Sequence, residues 1–229
     1  HSGKWDDSKS RLQGLPNYVS QTSYGLINVN VANIRIDGLQ VYATDSLNSA
    51  HTGAIALPDY NEEVYDYRIS NNIIRGKVNR TYSYYSIGLW IGGYTGSSGS
   101  VSRIWNNIIY DFANSNGEGI DLDYNTGETA PTHYLYNNMV HNCGAGIYLY
   151  KGTAIAKNNI VSSSTDNWAM DVSWDGASTN NLSSQDDAPG TNARNYAAVN
   201  FADASNYDFR LAYADTDAKW YGENLTLDS

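Results

Sequence analysis

Asparagine doublets recur along the chain at the same place in an alternating apolar pattern. Each doublet follows apolar or aromatic residues and usually precedes two aliphatic residues, as in Ile69-Ser70-Asn71-Asn72-Ile73-Ile74. Steps of 35, 31, 21 and 22 residues separate the first asparagines of the doublets, which are Asn71, Asn106, Asn137, Asn158 and Asn180. Such a period is typical of a solenoid, because one repeat cannot bury its own apolar face and must be covered by the next.

A second series of segments runs in phase with the doublets, each with a small residue followed by apolar residues at alternate positions. Alternate side chains of a strand take opposite faces, so these segments predict strands whose inward residues stack. The first predicted stack contains Ile55, Leu89, Ile120, Ile147 and Met170. The second contains Leu57, Ile91, Leu122, Leu149 and Val172. Each repeat is therefore predicted to hold at least two strands, with equivalent strands paired in parallel.

The doublets are predicted to form the bends between strands. Asparagine tolerates left-handed backbone angles, and its amide can both donate to and accept from an identical residue one coil away. Such a ladder would satisfy polar groups that the turn otherwise buries unpaired. We therefore interpret the doublets as structural.

Charge and cysteine content exclude several classes of function. Acidic residues outnumber basic ones 24 to 14, and no stretch has the clustered Lys and Arg that binding to nucleic acid requires. No apolar run of 18 residues is present, so we expect no membrane span. Cys143 is the only cysteine, which rules out an intrachain disulfide and favours a small buried filler.

The asparagine turns, together with strands such as Gly119-Ile120-Asp121-Leu122, resemble the right-handed parallel β-helix of the pectate-lyase-like superfamily. The segment Tyr24–Ile27, followed by Ile34–Leu39, resembles the entry coil of such proteins, and Phe201–Lys219 resembles their exit segment. The resemblance implies an all-β chain with one right-handed parallel β-helix of about five to seven coils, and an extracellular or cell-surface location. Residues 1–229 would form a single domain, with coils at 21–194.

Residues 1–20 are predicted to be an N-terminal cap or truncated coil, and 195–229 a C-terminal cap or exit segment. An open coil presents unpaired strand edges, so both ends of a solenoid need cover. Trp5 and Trp220 are the expected plugs.

Aromatic and acidic residues alternate with the inward stacks and are predicted to form columns on one outer sheet face. Sugar rings stack on Trp and Tyr, and their hydroxyls donate to carboxylates. We therefore expect this face to bind an extended polysaccharide or oligosaccharide through Trp90, Tyr148, Tyr150 and Trp174.

Two catalytic mechanisms stay open at this point. In a polysaccharide lyase, Asp121 and Asp123 would hold a divalent cation such as Ca²⁺, and Lys151 would remove the proton beside the uronate. In a glycoside hydrolase, Asp121 and Asp171 would be the two carboxylates. Placed two coils apart in one column, they would be separated by about 9.6 Å, which is compatible with an inverting pair.

A non-catalytic alternative also stays open. The same face would let a surface adhesin, a tail-spike-like protein or a structural repeat protein bind glycans without altering them. The flank of a solenoid would also allow a trimer, so both a monomer and a trimer are compatible with the sequence.

Overall fold

The computed structural model describes residues 3–14, 25–29, 31–44, 52–59, 64–78, 85–93, 99–124 and 131–225. The regular secondary structure of these residues is almost entirely strand, and a short 3₁₀ turn, Ala204–Asn206, joins the last two strands. In chain order the strands are β1 (Leu12–Gly14), β2 (Gly25–Asn28), β3 (Asn33–Asp37), β4 (Gln40–Ala43), β5 (Thr52–Asp59), β6 (Asp66–Ser70), β7 (Ile73–Arg75), β8 (Ser86–Gly93), β9 (Val101–Trp105), β10 (Ile108–Tyr110), β11 (Gly117–Tyr124), β12 (Thr132–Tyr136), β13 (Met139–His141), β14 (Ala145–Leu149), β15 (Thr153–Lys157), β16 (Ile160–Ser162), β17 (Asp166–Met170), β18 (Leu182–Ser183), β19 (Phe201–Asp203) and β20 (Asp208–Leu211).

Three parallel sheets run along the molecule, and the chain visits them in turn. The six-stranded sheet has the order β2-β5-β8-β11-β14-β17, the five-stranded sheet β3-β6-β9-β12-β15, and the seven-stranded sheet β1-β4-β7-β10-β13-β16-β18. The predicted all-β fold with stacked parallel strands is confirmed: the chain forms a β-solenoid. Each coil between β2 and β16 has three strands, where the sequence pattern alone required at least two.

The two asparagines of each doublet have different structural roles. The first asparagine of each has a left-handed backbone, with φ between 55° and 57°. The second is buried and forms a ladder from coil to coil: the amide of Asn107 donates to Asn138 at 3.0 Å, and that of Asn138 donates to Asn159 at 3.0 Å. Backbone N–H groups of the ladder also donate to the neighbouring side-chain oxygens. The predicted ladder is therefore confirmed.

The predicted inward stacks are confirmed over four coils. Leu89 is in register with both Ile55 and Ile120, and Ile120 pairs in turn with Ile147. These side chains are fully buried in the central core. Close packing of aliphatic side chains between the three sheets is what holds the coils together.

The prediction is wrong for the last member of each stack, because the register of β17 differs by two residues from the predicted one. Trp168, not Met170, pairs with Ile147, and Met170 pairs with Leu149. Met170 is 55% exposed because the six-stranded sheet ends at β17. The edge of β17 is instead covered by Asp187, whose carboxylate accepts the backbone N–H groups of Asn167 and Trp168.

The two terminal segments meet on the outer face of the seven-stranded sheet. Backbone hydrogen bonds join Trp5 to Tyr207 and Phe209 to Gly3. Trp5 and Phe209 pack there with a row of outward-facing residues from the sheet, including Ile73, Ile108 and Met139. Trp5 is thus buried on the flank of the solenoid.

Trp220 does not act as a plug, since its side chain is fully exposed. Residues 1–2, 15–20 and 226–229 of the two predicted caps lie outside the described residues. The domain boundaries themselves stay a prediction.

Candidate functional site

The outer face of the six-stranded sheet carries the predicted aromatic and acidic columns. Trp90, Asp121 and Tyr148 are in register on β8, β11 and β14, and Ala56 precedes them on β5. The adjacent column holds Gly92 and Asp123. The structure therefore brings together most of the residues singled out from the sequence, on a surface whose geometry is fixed by the strand ladder.

Strand alternation is interrupted in β11. A side chain at Gly119 would meet the core residues Val140 and Cys143, so Gly119 faces the interior, as the fully buried Ile120 also does. Two successive inward positions leave Glu118 and Asp121 together on the outer face. The same arrangement recurs one coil earlier, where Ile87 and Trp90 pack together.

Glu118 and Asp121 form a buried pair of carboxyl groups that share a hydrogen bond. They are 6% and 4% exposed. Burial raises the pKa of Glu118 to about 7, and it raises the pKa of Asp121 well above its usual range, with the charge of Glu118 adding to the effect. At neutral pH the pair therefore retains a proton.

Glu118 and Asp121 each also have a carboxyl oxygen that accepts no hydrogen bond from the described residues. Glu118 Oε2 and Asp121 Oδ1 are buried and have no hydrogen-bond partner among the described residues. A buried polar atom without a partner costs free energy, and in a native protein such an atom calls for an explanation.

The side chain of Trp90 is less exposed to solvent than the sequence pattern predicted. Its side chain is 9% exposed and packs against Ala56 and Ile87. The indole also lies over Gly92, where a Cβ atom would come within 2.5 Å of Nε1. Glycine at position 92 therefore makes room for the indole, and little of the ring is available for stacking.

Tyr148 and Tyr150 are the half-buried aromatic residues of this face. Their ring centroids are 6.2 Å apart, with an angle of 54° between the planes. Burial is the largest cause that raises the pKa of Tyr148, and the charge of the neighbouring Asp171 is the second. The phenol is therefore protonated at neutral pH and donates a hydrogen bond to the Asp171 side chain. Lys151 Nζ lies 5.3 Å from the centroid of Tyr150, at the same end of the face.

Asp171 does not stand in the predicted column with Asp121. The register of β17 places Met170 beside Leu149, so Asp171 lies level with Tyr150 and Asp123. The separation between the Cα atoms of Asp121 and Asp171 then rises from about 9.6 Å to about 12 Å, because two residues along the strand are added to two coils across it. The predicted pairing of these two carboxylates in register is therefore wrong.

Trp174 lies apart from the other aromatic residues. It packs against the central core and meets Trp168 edge to face, with 5.2 Å between ring centroids. Since Trp168 is the inward residue of β17, Trp174 covers the core at the last coil of the six-stranded sheet. The structure does not bring it onto the face that holds Tyr148.

Glu118 is the residue that sequence reasoning missed. Strict alternation from Ile120 and Leu122 assigns position 118 to the interior, where a carboxylate would not be expected. The available signal was the pair of glycines in Gly117-Glu118-Gly119, which marks an irregularity in the strand.

The described residues contain no group of three or more His, Cys, Asp and Glu side chains placed to hold a metal ion. They also include no apolar helix of the length needed to cross a membrane. The proposed calcium site at Asp121 and Asp123 stays a prediction.

Comparisons of the chain with protein-family models, with curated proteins and with solved structures found no match. The β-solenoid is therefore established by the strand pairing alone. Membership of the pectate-lyase-like superfamily stays a prediction, and so does the function that this resemblance implies.

Proposed function

We propose that this protein is a carbohydrate-active enzyme that binds an extended polysaccharide on the outer face of the six-stranded sheet and hydrolyses it. The buried carboxyl pair of Glu118 and Asp121 is the observation that carries the proposal. Two carboxyl groups that share a proton at neutral pH supply a general acid. Such an acid protonates the glycosidic oxygen as its bond to the sugar breaks.

The carboxyl pair is suited to protonate a leaving group. Low exposure disfavours the charged forms of both residues, and the shared hydrogen bond keeps the proton between them. We assign Asp121 as the acid: the proton that it shares with Glu118 passes to the glycosidic oxygen as the bond to the sugar breaks, and the pair is left with one more negative charge. Glu118 is then the group that holds Asp121 protonated.

Asp123 is the carboxylate best placed to act as the base. Residues two apart on a strand have Cα atoms about 6.7 Å apart and side chains on the same face, and the carboxyl groups of inverting glycosidases are about 6.5 to 9.5 Å apart. Asp123 is half-buried and lies on the same outer face as Asp121. It would activate the water that attacks the sugar from the opposite side.

The arrangement of the tyrosines supports a polymer lying along the solenoid axis. Tyr148 and Tyr150 belong to the coil after the carboxyl pair. Because neighbouring coils are about 4.8 Å apart, successive sugars would meet successive coils. Rigid strands hold these side chains more accurately than loops would.

The carboxyl pair is an arrangement for acid catalysis, and hydrolysis is therefore the mechanism that we propose. In the competing lyase mechanism, Asp121 and Asp123 would hold a cation and Lys151 would act as the base. The hydrogen bond between Tyr148 and Asp171 gives Asp171 a positioning role for the tyrosine ring.

The experiment combines a glycan array with activity assays on each polymer that binds. Hydrolysis releases reducing ends, whereas a lyase releases an unsaturated product that absorbs in the near ultraviolet. We expect reducing ends only, with the anomeric configuration inverted when the product is followed by NMR.

Matched variants separate catalysis from binding. Asp121→Asn and Asp123→Asn should each lower kcat by at least about 100-fold and leave binding within about threefold. Tyr148→Ala should weaken binding, whereas Tyr213→Ala, whose ring is 99% exposed and outside this face, should not. Retention of a polymer without any cleavage would instead identify a non-catalytic binding protein, and retention unaffected by Tyr148→Ala would remove the site from this face.

A further inference from the structure

A tyrosine residue lies between two carboxyl groups on the outer face of the six-stranded sheet. Tyr150 directly follows β14, which is the strand between β11 and β17. It is level with Asp123 on one neighbouring coil and with Asp171 on the other. Because neighbouring strands are about 4.8 Å apart, the backbones of Asp123 and Asp171 are separated by about 9.6 Å. Two carboxyl groups therefore flank one aromatic residue in a single column.

The carboxyl groups of this face make the surroundings of the column negative. Burial is the largest cause of the raised pKa values of Glu118, Asp121 and Tyr148, and neighbouring carboxyl groups raise them further. The charge of Asp123 acts on Glu118 and Asp121, and the charge of Asp171 acts on Tyr148. Groups that are affected in this way by like charges are groups beside which a cation is favourable.

The chain itself places one ammonium group at this end of the face. Lys151 Nζ lies 5.3 Å from the ring centroid of Tyr150, which is within the range of a cation–π contact. One positive charge does not balance the charges of Asp123 and Asp171 together with the charge left on the carboxyl pair. The face is therefore negative, as is the whole chain with its formal charge of −10.

The carboxyl pair supplies acceptors for a ligand that carries hydrogen-bond donors. Glu118 Oε2 and Asp121 Oδ1 have no partner among the described residues, although the two side chains are only 6% and 4% exposed. Buried acceptors of this kind are normally satisfied in a native protein. A ligand on this face that brings N–H or O–H groups would satisfy them.

We propose that the substrate is a polysaccharide whose sugars carry free amino groups. This inference rests on the proposed polysaccharide site and names the chemistry of its substrate. A protonated amine brings three donors and a positive charge, and it pairs both with carboxyl oxygens and with the faces of tyrosine rings. Asp171 binds one ammonium group beside Tyr150, one coil beyond the carboxyl pair, and the strand ladder holds this position rigid.

The charge of the face accounts for the selectivity. A neutral sugar could satisfy the unpaired oxygens of the carboxyl pair through its hydroxyls, but it would leave the negative charges of the face without a counterion. An amine supplies both the donor and the charge. The negative charge of the whole chain also attracts a cationic polymer over a longer range and speeds its association.

The experiment compares two hexamers by isothermal titration calorimetry with the full chain. One is a hexamer of glucosamine with free amines, and the other is the same hexamer with every amine acetylated. At a pH of about 5.5 the free amines are protonated, and we expect them to improve the affinity at least about tenfold. Raising NaCl from about 50 to about 500 mM should remove most of this preference, because salt screens exposed charges. Equal affinities for the two hexamers at low salt would overturn the proposal.

A single variant tests the assigned position. Asp171→Asn should weaken binding of the free-amine hexamer about fivefold, as expected for an exposed ion pair, and leave the acetylated hexamer within about twofold. Asp7→Asn is the control, since it removes the same charge from a side chain that is 79% exposed in the N-terminal segment. Circular dichroism would verify that both variants keep the solenoid. Equal weakening by the two variants would overturn the proposal, and so would equal affinity for a lysine hexamer, which has amines but no sugar rings.

The outcomes separate this proposal from the proposed hydrolysis. Preferential binding of the free-amine hexamer without release of reducing ends would support the amine site and contradict hydrolysis. Release of reducing ends from both hexamers at the same rate, with equal affinities, would support hydrolysis and overturn the amine site.

Discussion

The guanidinium carbon of Arg75 lies 3.9 Å from the ring centroid of Tyr207, although 132 residues separate them in the chain. Arg75 also donates a hydrogen bond to the Tyr207 hydroxyl and lies 4.7 Å from the ring centroid of Tyr42. The contact joins β7 of the seven-stranded sheet to the hairpin of β19 and β20. The C-terminal segment is therefore fastened to the side of the solenoid by a cation–π contact.

Loss of this contact should loosen the C-terminal hairpin. Tyr207→Ala removes a partly desolvated cation–π interaction and part of the aromatic cluster, and we expect a loss of about 2 kcal/mol in the free energy of unfolding. Urea denaturation followed by circular dichroism measures it. Tyr213→Ala, at a ring that is almost fully exposed, should change stability by less than about 0.5 kcal/mol.

The asparagine ladder predicts an unusually large effect for one polar residue. Asn138 accepts from the backbone and amide of Asn107 and donates to Ile104 and Asn159, all inside the core. Asn138→Ala leaves buried donors and acceptors unpaired, so we expect a loss of about 3 to 5 kcal/mol. Asn200→Ala, at an exposed position, is the control; a comparable loss there would argue against a special role of the ladder.

Neighbouring residues of β14 should differ sharply in their contribution to stability. Ile147 is fully buried in the core, and Tyr148 faces outward. Ile147→Ala should lose about 2 to 5 kcal/mol, as truncation of buried aliphatic side chains does, and Tyr148→Ala about 1 kcal/mol or less. Thermal unfolding of both variants tests the strand phase, which equal losses would contradict.

Glu118 should make the protein less stable in alkali. Its pKa in the folded protein, about 7, lies above the ordinary value of 4.5, so the folded state binds the proton more tightly than the unfolded state. The stability from this group is fully present below pH 4.5 and is lost as the pH rises through 7. Glu118→Gln should therefore stabilise the protein at pH 8 by up to about 3 kcal/mol and much less at pH 5. Urea unfolding at both pH values is the measurement; an equal effect at both would mean that Glu118 titrates normally.

The buried ring of His133 should make the protein less stable in acid. Its ring is buried and its Nδ1 lies 2.6 Å from the Ser102 hydroxyl, and burial lowers its pKa from 6.5 to about 4. The stability from the neutral ring is present above pH 6.5 and is lost as the pH falls toward 4, by about 2 kcal/mol at pH 5. His133→Leu should remove this dependence on acid. NMR titration of the His133 ring gives the pKa directly, and a midpoint near 6.5 would contradict the prediction.

The spacing of the asparagine doublets was enough to predict a solenoid, because each doublet is a local feature with a local consequence. Left-handed backbone angles and an amide ladder follow from the chemistry of asparagine, and both were expected at the doublets; the structure assigns the first role to the first asparagine and the second role to the second. The inward stack from Ile55 to Ile147 could be aligned for the same reason: strand alternation depends on neighbours in the chain.

Other features depend on residues far apart in sequence, and the sequence pattern could not supply them. The inward turn of Gly119 follows from packing against Val140 and Cys143, and it brings Glu118 to the outer face beside Asp121. The register of β17 is set where the stack ends, so Trp168 rather than Met170 completes the core and Asp171 leaves the predicted column. The sequence by itself thus determined the repeating frame, through local backbone preference and alternation. Only the tertiary structure decided which carboxylates meet, because burial and pairing of charges depend on which coils lie side by side.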